Sequence, residues 1–222
     1  GNWQLALATD NRLRTRFEVP LPGNRPPLIL GERTLVMGII NVTPDSFADG
    51  GLRVDPSRAI EDGWRMLEDG ADILDVGGES TRPGAEPLEA EEELRRVLPV
   101  VEALCSRAVV SVDTYKAVVA REAVARGAAI INDISALRYD PVLGAVAAES
   151  GAAIVLMHNR GRSHDMYKHA EYADVAGEIA AELSVAIAAA ENAGIRREAI
   201  ILDPGLGFAK QARHSYEALA SL

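Results

Sequence analysis

Three polar residues that could bind a ligand each follow or end a short apolar run in this 222-residue sequence: Asp113, Asn132 and Asp203. Two carboxylates and an amide that face one another in a cleft carry a desolvation cost, which a ligand with hydrogen-bond donors would offset. A flat heterocycle with a guanidine-like edge fits, because its ring N–H and exocyclic amine can donate to one carboxylate as a fork. The Asn132 amide both donates and accepts, so it can bind the adjacent ring edge.

Other residues near the ends of apolar runs suit the remaining parts of such a ligand. Met157 and Phe208 offer polarisable and aromatic surface for packing against a flat ring. Asn41 and the segment Ser80-Thr81-Arg82 suit an anionic or metal-bound group at the other end of the ligand. The sequence therefore predicts a site with one part for a ring and another for an anion.

Six short apolar runs position these residues, and each is typical of a strand buried on both faces. The predicted strands span residues 35–40, 72–76, 108–112, 128–131, 152–157 and 199–202. Helical patterns lie between them, and Asp55 followed by Pro56 is typical of a helix start. Six successive βα units predict a parallel sheet of the α/β class.

Two architectures contain such units, an open doubly wound sheet and a (β/α)8 barrel. No G-x-G-x-x-G motif follows the first predicted strand, which disfavours a dinucleotide-binding sheet. A barrel brings the carboxyl ends of its strands to one mouth, and every predicted strand here is followed by polar residues. We therefore expect a TIM-type barrel with about six βα units and a hairpin-like N-terminal extension.

The predicted domain division places an N-terminal extension at residues 1–33 and the barrel at residues 34–222. Residues 3–19 alternate loosely around Asp10-Asn11, which indicates a hairpin outside the main fold. The Pro-rich segment 20–27 is expected to be a connector. A TIM barrel typically takes about 250 residues, so about two βα units are expected to be missing at the C-terminal end.

Composition narrows the classes of partner and location. The net charge is −10 and no run of Lys or Arg stands out, which argues against nucleic acid as the main partner. No stretch approaches the ~20 apolar residues of a membrane span, so no membrane contact is expected. The single cysteine, Cys105, cannot form an internal disulfide, which fits a cytoplasmic location.

Several other polar residues have a structural interpretation. We expect Glu79 to brace the loop that follows it, and His158 to be a hydrogen-bonded histidine at the rim. The charged cluster at residues 89–96 is expected to be a solvated helix face. The remaining histidines are expected at the surface: His164, His169 and His214.

Two segments carry a specific family resemblance, Asn41-Val-Thr-Pro-Asp-Ser-Phe47 and Glu79-Ser-Thr-Arg-Pro-Gly84. Four shorter matching segments follow in order: Ser111-Val-Asp-Thr114, Ile131-Asn-Asp-Ile134, Leu156-Met-His158 and Leu202-Asp-Pro-Gly205. Together they resemble the dihydropteroate synthases, pterin-binding TIM-barrel transferases of folate biosynthesis. The resemblance implies condensation of 6-hydroxymethyl-7,8-dihydropterin diphosphate with 4-aminobenzoate, assisted by Mg²⁺, to give 7,8-dihydropteroate and pyrophosphate. It also implies that the protein forms a homodimer and is a target of sulfonamides.

The resemblance assigns roles to individual residues. Asn41 matches the position near the Mg²⁺-diphosphate and is the expected metal ligand, while Asp49 can face positive charge developing on the pterin. The expected catalytic residues are Asp49, Arg82, Asp113 and Asp203. The expected pterin-binding residues, including the two proposed above for ring packing, are Asp113, Asn132, Met157, Asp203 and Phe208. Loop residues expected to shape the aminobenzoate pocket, where sulfonamides compete, are Phe47, Thr81, Arg82 and Pro83.

The sequence also departs from the family pattern. In the family, the seventh strand carries a Ser-Arg-Lys segment that contacts pterin and aminobenzoate, and the eighth carries an Arg-Val-His segment that binds diphosphate. Neither follows the sixth predicted strand here. Two alternatives therefore stay open: a non-catalytic barrel fragment that binds pterin, and a methyltransferase of the same fold that carries a methyl group from a folate. The methyltransferase would need no diphosphate or aminobenzoate site.

Overall fold

The computed structural model describes residues 16–43, 55–80, 87–162 and 166–222. Its strands are β1 Phe17–Val19, β2 Leu28–Leu30, β3 Met37–Asn41, β4 Ile73–Gly77, β5 Val109–Asp113, β6 Ile130–Asp133, β7 Ala153–Met157 and β8 Ile200–Asp203. Its α-helices are α1 Pro56–Glu68, α2 Ala90–Leu104, α3 Ala117–Ala125, α4 Leu143–Ser150, α5 Val175–Asn192 and α6 Ala212–Leu219. Short 3-10 helices occupy Met166–His169 and Arg197–Ala199.

Strands β3 to β8 form one parallel sheet in which each strand pairs with the next along the chain. This order is that of a TIM barrel, in which each strand is followed by a helix on the outside. The predicted run of six βα units is confirmed, and every predicted strand boundary lies within one or two residues of the observed one. No helix in the described ranges is long and apolar enough to cross a bilayer.

The outer face of the sheet packs against the helices and forms the main core. Val76, Val112 and Ile154 belong to the same buried cluster as Val97 and Leu104 of α2. Alternation along each strand explains this cluster, because every second side chain points to the helical layer. The helix starts follow the sequence prediction: Asp55 precedes α1, and its side chain accepts a hydrogen bond from the Ser57 N–H at 2.9 Å.

The inner face of the sheet changes from apolar to polar along the strands. Ile73, Ile130 and Val155 form part of a second buried cluster. Further along the strands, Asp113 and Asn132 are register partners on this inner face. The sheet therefore places its polar inner residues at the carboxyl ends of the strands.

A hairpin of β1 and β2 packs against the main fold, and it lies later in the chain than the hairpin predicted at residues 3–19. β1 pairs antiparallel with β2, so the Pro-rich segment 20–27 is the turn of this hairpin and no connector. Val19 and Leu21 belong to the second buried cluster, together with Ile73 and Ile130 of the sheet. Sequence periodicity could not show this packing, because it involves residues distant along the chain. The hairpin predicted around Asp10-Asn11 lies outside the described residues.

The packing of the hairpin can be tested by truncating one buried and one exposed side chain of β1. Val19 is 3% exposed and Phe17 is 46% exposed, so the two residues form a matched pair on one strand. Val19→Ala should lower the free energy of unfolding by about 1–3 kcal/mol, because it removes buried methyl groups. Phe17→Ala should change it by less than about 0.5 kcal/mol. Urea denaturation measures both values, and equal effects would show that the hairpin does not pack against the barrel.

Candidate functional site

The three predicted pterin-binding polar residues lie on the inner face of the sheet. Asp113 ends β5 and Asn132 lies beside it on β6 as its register partner. Asp203 ends β8 and is paired with Met157 at the end of β7. Because paired residues of parallel strands point to the same face, and Asn132 pairs with Val155 two residues before Met157, all four residues face inward. The structure thus places these four predicted site residues at one end of one face.

A fourth polar residue of this face, Asp75, was missed by the sequence analysis. It lies in the middle of β4 and is only 4% exposed. Asn132 Nδ2 donates a hydrogen bond to Asp75 Oδ2 at 2.9 Å. Its position inside a strand gives no strand-end signal, but a carboxylate inside an apolar strand is itself a signal of function or pairing.

Burial sets the charge state of these inner carboxyl groups. Removal from water raises the pKa of Asp75, while the nearby Ser111 hydroxyl and the hydrogen bond from Asn132 oppose that change. The pKa of Asp113 is raised well above its usual value, first by burial and then by the nearby carboxylates of Asp75 and Glu93. Gly77 leaves room for this group, because a Cβ there would lie 3.2 Å from Asp113 Oδ2.

Several buried polar atoms of this face have unmet hydrogen-bonding capacity. Within the described ranges, Asp75 Oδ1, Ser111 Oγ and Asn132 Oδ1 have no hydrogen-bond partner of good geometry. Buried polar atoms without partners are costly, so such a group is expected where a ligand completes the bonding. The inner face is therefore suited to a polar, flat ligand that presents donors to carboxylate and amide oxygens.

The loop after β8 shapes the other side of the site. Asp203 Oδ1 accepts a hydrogen bond from the Gly205 N–H at 2.7 Å, and the Phe208 N–H donates to the Gly205 carbonyl at 3.0 Å. Gly205 has φ +66°, and a Cβ there would lie 1.9 Å from the carbonyl oxygen of His158. This position therefore requires glycine, and the loop passes directly over the end of β7.

His158 and Lys210 form a buried pair behind this loop. Lys210 Nζ lies 2.8 Å from His158 Nδ1, and His158 Nε2 lies 3.1 Å from Glu182 Oε2 on α5. Burial, together with the charge of Lys210, lowers the pKa of His158 to about 4. Burial also lowers the pKa of Lys210 to about 8. The prediction of a hydrogen-bonded histidine is confirmed for His158, whose ring is neutral near pH 7.

The loop after β4 is braced by a cluster of charged residues, as predicted for Glu79. Glu79 Oε2 accepts a hydrogen bond from the Leu88 N–H at 3.0 Å, Oε1 accepts from the Tyr115 hydroxyl at 2.9 Å, and Lys116 forms an ion pair with the same carboxylate. Lys116 also contacts Glu93 Oε2 at 2.5 Å. Glu93 is 1% exposed, so the interpretation of the whole 89–96 cluster as a solvated face is wrong.

Of the predictions for the other three histidines, one is wrong and two concern side chains outside the described residues. The expectation that His214 lies at the surface is wrong, because its side chain is buried and its ring packs edge-on against Tyr172 with centroids 5.0 Å apart. His164 and the side chain of His169 lie outside the described residues.

The remaining predicted site residues are placed only in part. Asn41 ends β3, is exposed, and is the register partner of Gly77. Phe208 lies in the loop after β8 and is partly buried. Five predicted residues lie outside the described ranges: Phe47, Asp49, Thr81, Arg82 and Pro83. Among the residues that are described, no group of three or more His, Cys, Asp or Glu side chains could hold a metal ion.

Comparison with known proteins agrees with this fold. Residues 37–222 match the family described as pterin binding enzyme. The dihydropteroate synthase of Bacillus subtilis is 49% identical over 181 residues, which cover 81% of this chain and 61% of that protein. A structure of the Xanthomonas albilineans dihydropteroate synthase with 4-aminobenzoic acid has a TM-score of 0.79 at 47% identity, covering 86% of this chain and 69% of that one. A Yersinia pestis dihydropteroate synthase with a sulfonamide drug complex has a TM-score of 0.82 at 42% identity, covering 92% and 74%.

A parallel βα barrel with a polar inner face at the carboxyl ends of its strands defines the class as a TIM-barrel pterin-binding enzyme. Within that class, the chain belongs to the dihydropteroate synthase family. It spans about three fifths of the Bacillus subtilis relative and about seven tenths of the Xanthomonas albilineans one.

The neutral state of His158 predicts a pH dependence of stability. In the folded chain His158 stays neutral down to about pH 4, whereas an unfolded histidine takes up a proton near pH 6.5. The unfolded state therefore binds more protons between these values, and the stability due to this group is lost as the pH falls. From pH 7 to pH 5 the loss should be roughly 2 kcal/mol.

This dependence is measured by urea denaturation at pH 7, 6 and 5, comparing the unsubstituted chain with His158→Gln. Buried carboxyl groups also titrate in this range, so the difference between the two curves isolates His158. The variant should lack the His158 part of the slope. Parallel curves would contradict a buried neutral His158.

A second stability prediction concerns Asp75, whose raised pKa makes its charged form unfavourable in the folded chain. Its contribution to stability is therefore lost as the pH rises above the unfolded value near 3.9. Asp75→Asn should raise the free energy of unfolding at pH 8 by on the order of 1–3 kcal/mol and should give no such gain near pH 3.

Asp72, just before the same strand, is the matched control. Its carboxylate forms an ion pair with Arg33 and accepts a hydrogen bond from the Val36 N–H, which holds its pKa at about 2. Asp72→Asn should therefore lower stability at neutral pH, which is the opposite sign. Denaturation of both variants across pH 3–8 checks the pair, and a loss of stability in Asp75→Asn at pH 8 would contradict the assignment.

Proposed function

We propose that this chain acts as a dihydropteroate synthase, condensing 6-hydroxymethyl-7,8-dihydropterin diphosphate with 4-aminobenzoate to give 7,8-dihydropteroate and pyrophosphate. The observation that carries the proposal is the set of inner-face carboxyl and amide groups, in which Asp75 Oδ1 and Asn132 Oδ1 have no hydrogen-bond partner. Asp75 and Asp113 both have raised pKa values there, and Asn132 donates to Asp75 and is the register partner of Asp113. A pterin edge supplies the donors that this set lacks.

Pterin binding follows from the orientation of these groups. Asp113 and Asp203 can accept hydrogen bonds from the ring N–H and exocyclic amine groups of the pterin. The Asn132 Nδ2 is bonded to Asp75, so its Oδ1 is left to accept a bond from the ligand. Met157 lies on the same inner face and Phe208 in the loop above it, where both can pack on the ring.

Asn41 is the residue that we propose to bind Mg²⁺. One neutral amide oxygen cannot hold this ion alone, but Mg²⁺ commonly binds to one or two protein groups together with substrate phosphates and water. The exposed position of Asn41 at the end of β3 fits such a site, in which the diphosphate provides most of the ligands. When bound, the ion would neutralise charge on the leaving diphosphate.

The aminobenzoate pocket is proposed to be formed by the loop residues Phe47, Thr81, Arg82 and Pro83. Support comes from the two specific sequence motifs and from relatives whose structures contain 4-aminobenzoic acid or a sulfonamide drug complex. Glu79 and Lys116 brace the described start of the loop after β4, to which Thr81, Arg82 and Pro83 belong in sequence. Glu79 also accepts a hydrogen bond from Leu88 just beyond this segment. We propose that sulfonamides compete for this pocket.

The proposed chemistry needs no covalent bond to the protein. The bond between the pterin methylene and the diphosphate oxygen breaks, and its electron pair leaves with the diphosphate. The aromatic amine then forms the new C–N bond with its lone pair and loses one proton. The protein has to stabilise a cation on the pterin and hold both reactants in line, which are electrostatic and positioning tasks. We assign the cation-facing role to Asp49.

We further propose a homodimer and a cytoplasmic location. The homodimer rests on the family resemblance alone, and sedimentation velocity would measure it. The location rests on the single cysteine, which cannot form a disulfide within the chain.

An assay of both products tests the proposed function. The unsubstituted chain with pterin diphosphate, 4-aminobenzoate and Mg²⁺ should release pyrophosphate and dihydropteroate in equal amounts. Asp203→Asn and Arg82→Ala should each lower the rate by roughly a hundredfold, because each removes a group that we place at the reacting ligands. Arg121→Ala is the control, since Arg121 forms an exposed ion pair with Glu149.

The outcomes separate the candidate functions. Pterin binding without product would contradict catalysis by this chain and would favour a non-catalytic pterin-binding protein. Methyl transfer from a folate without use of the diphosphate would favour the methyltransferase alternative. A chain that shows no pterin binding and no turnover would contradict every pterin-based function of the inner face.

A further inference from the structure

We infer that Lys210 is a positioning residue, whose buried amine holds the loop after β8 against the end of β7 and so fixes Asp203 and Phe208 for pterin binding. The inference rests on the proposed function, because Asp203 and Phe208 are assigned to the pterin there. Lys210 itself is not placed at the ligand. It acts through the backbone that carries the two residues.

The contacts of the Lys210 amine connect two separate segments of the chain. Its Nζ lies 3.1 Å from the carbonyl oxygens of both Gly205 and Phe208, within the loop after β8. It also lies 2.8 Å from Nδ1 of His158, directly after β7. An ammonium group has three donors, so these three acceptors satisfy it completely. Lys210 is 2% exposed, and water therefore cannot replace these bonds.

The loop needs such a support because Ala209 has φ of +47°, which is uncommon and costly for a residue with a side chain. Such a conformation persists only where the surroundings fix it. Gly205 and Gly207 have φ of +66° and +84°, which glycine adopts without that cost. Lys210 bonds the carbonyls of two loop residues, and the Tyr172 hydroxyl donates to the Ala209 carbonyl at 2.9 Å.

His158 is in turn fixed from the helical layer. Because Nδ1 accepts from Lys210, the neutral His158 ring carries its proton on Nε2 and donates to Glu182 of α5. Arg160 donates from Nε to Glu182 at 3.0 Å and from Nη2 to Glu178 at 2.7 Å. A continuous set of hydrogen bonds therefore runs from α5 through His158 and Lys210 to the loop.

Loss of this support should affect one side of the pterin site and spare the other. Asp203 Oδ1 is bonded to the Gly205 N–H, and Phe208 is bonded through its own N–H and carbonyl, so both move with the loop. Asp113 and Asn132 are held by the pairing of β5 with β6, which Lys210 does not contact. A purely structural lysine would instead loosen the whole chain.

Hydrogen exchange and pterin binding together test the inference in Lys210→Met, which keeps the length of the side chain and removes its donors. Exchange of the Gly205 and Phe208 amides should become at least tenfold faster, while amides of β5 and β6 keep their rates. Affinity for 6-hydroxymethyl-7,8-dihydropterin, measured by calorimetry, should fall at least tenfold. If the diphosphate assay shows turnover, the KM for the pterin substrate should rise while that for 4-aminobenzoate stays within about twofold.

Two further variants complete the design. His158→Gln removes the ring acceptor of Lys210 and should give the same pattern to a smaller extent, so it serves if Lys210→Met fails to fold. Arg121→Met is the control, because Arg121 lies in an exposed ion pair with Glu149 far along the chain from the loop. It should leave both exchange and pterin affinity unchanged.

The results separate this inference from the proposed function. Unchanged exchange in the loop, or faster exchange spread evenly over the chain, overturns the positioning role even where pterin binds. Faster loop exchange with unchanged pterin affinity overturns the link between the loop and the ligand. If the unsubstituted chain binds no pterin, the proposed function fails and the link to pterin fails with it, while loop exchange still decides whether Lys210 holds the loop.

Discussion

The cost of placing carboxyl groups away from water is the constraint around which this structure is arranged. Asp75 and Asp113 lie on the inner face of a sheet whose other inner residues are largely apolar. The hydrogen bond from Asn132 to Asp75 offsets part of this cost and leaves the rest unmet. The groups that destabilise this inner face are therefore the same groups that would bind a ligand with several donors, as found at many functional sites.

Around this inner face, two lysines hold described parts of the loops that the strands alone do not position. Lys116 joins Glu79 to Glu93 and so ties the start of the loop after β4 to helix α2. Lys210 and His158 hold the loop after β8 against the end of β7. Lys210 is buried and Lys116 is half-buried, and each is satisfied by several acceptors, which is the condition under which such a charge is tolerated. The barrel thus supplies the strand ends, and the two lysines hold residues that follow them.

The sequence alone predicts the strands and helices of the barrel and the placement of part of the candidate site. Short apolar runs between helical patterns predict the six parallel strands, because β4 to β7 are largely buried on both faces. Asp113, Asn132 and Asp203 follow from their place at the strand ends, where a barrel gathers its ligand contacts. Asp75 could not be found by that rule, since it lies inside a strand, and the buried state of Glu93 is hidden in a run of charged residues. Partners distant along the chain, such as Lys116 for Glu93, leave no local pattern.

The hydrogen bond between Asn132 and Asp75 has a consequence for discrimination among heterocycles. Because the amide nitrogen is committed to a carboxylate, the amide cannot rotate by 180° without setting its oxygen against the Asp75 oxygen. The inner face therefore presents the Asn132 oxygen as a fixed acceptor, and the Asp113 and Asp203 carboxyl groups lie at the same end of this face. A ring that carries an oxo group where a pterin carries its amine would bring oxygen against oxygen. Molecules of nearly the same shape and size would thus be rejected by the polarity of a single edge.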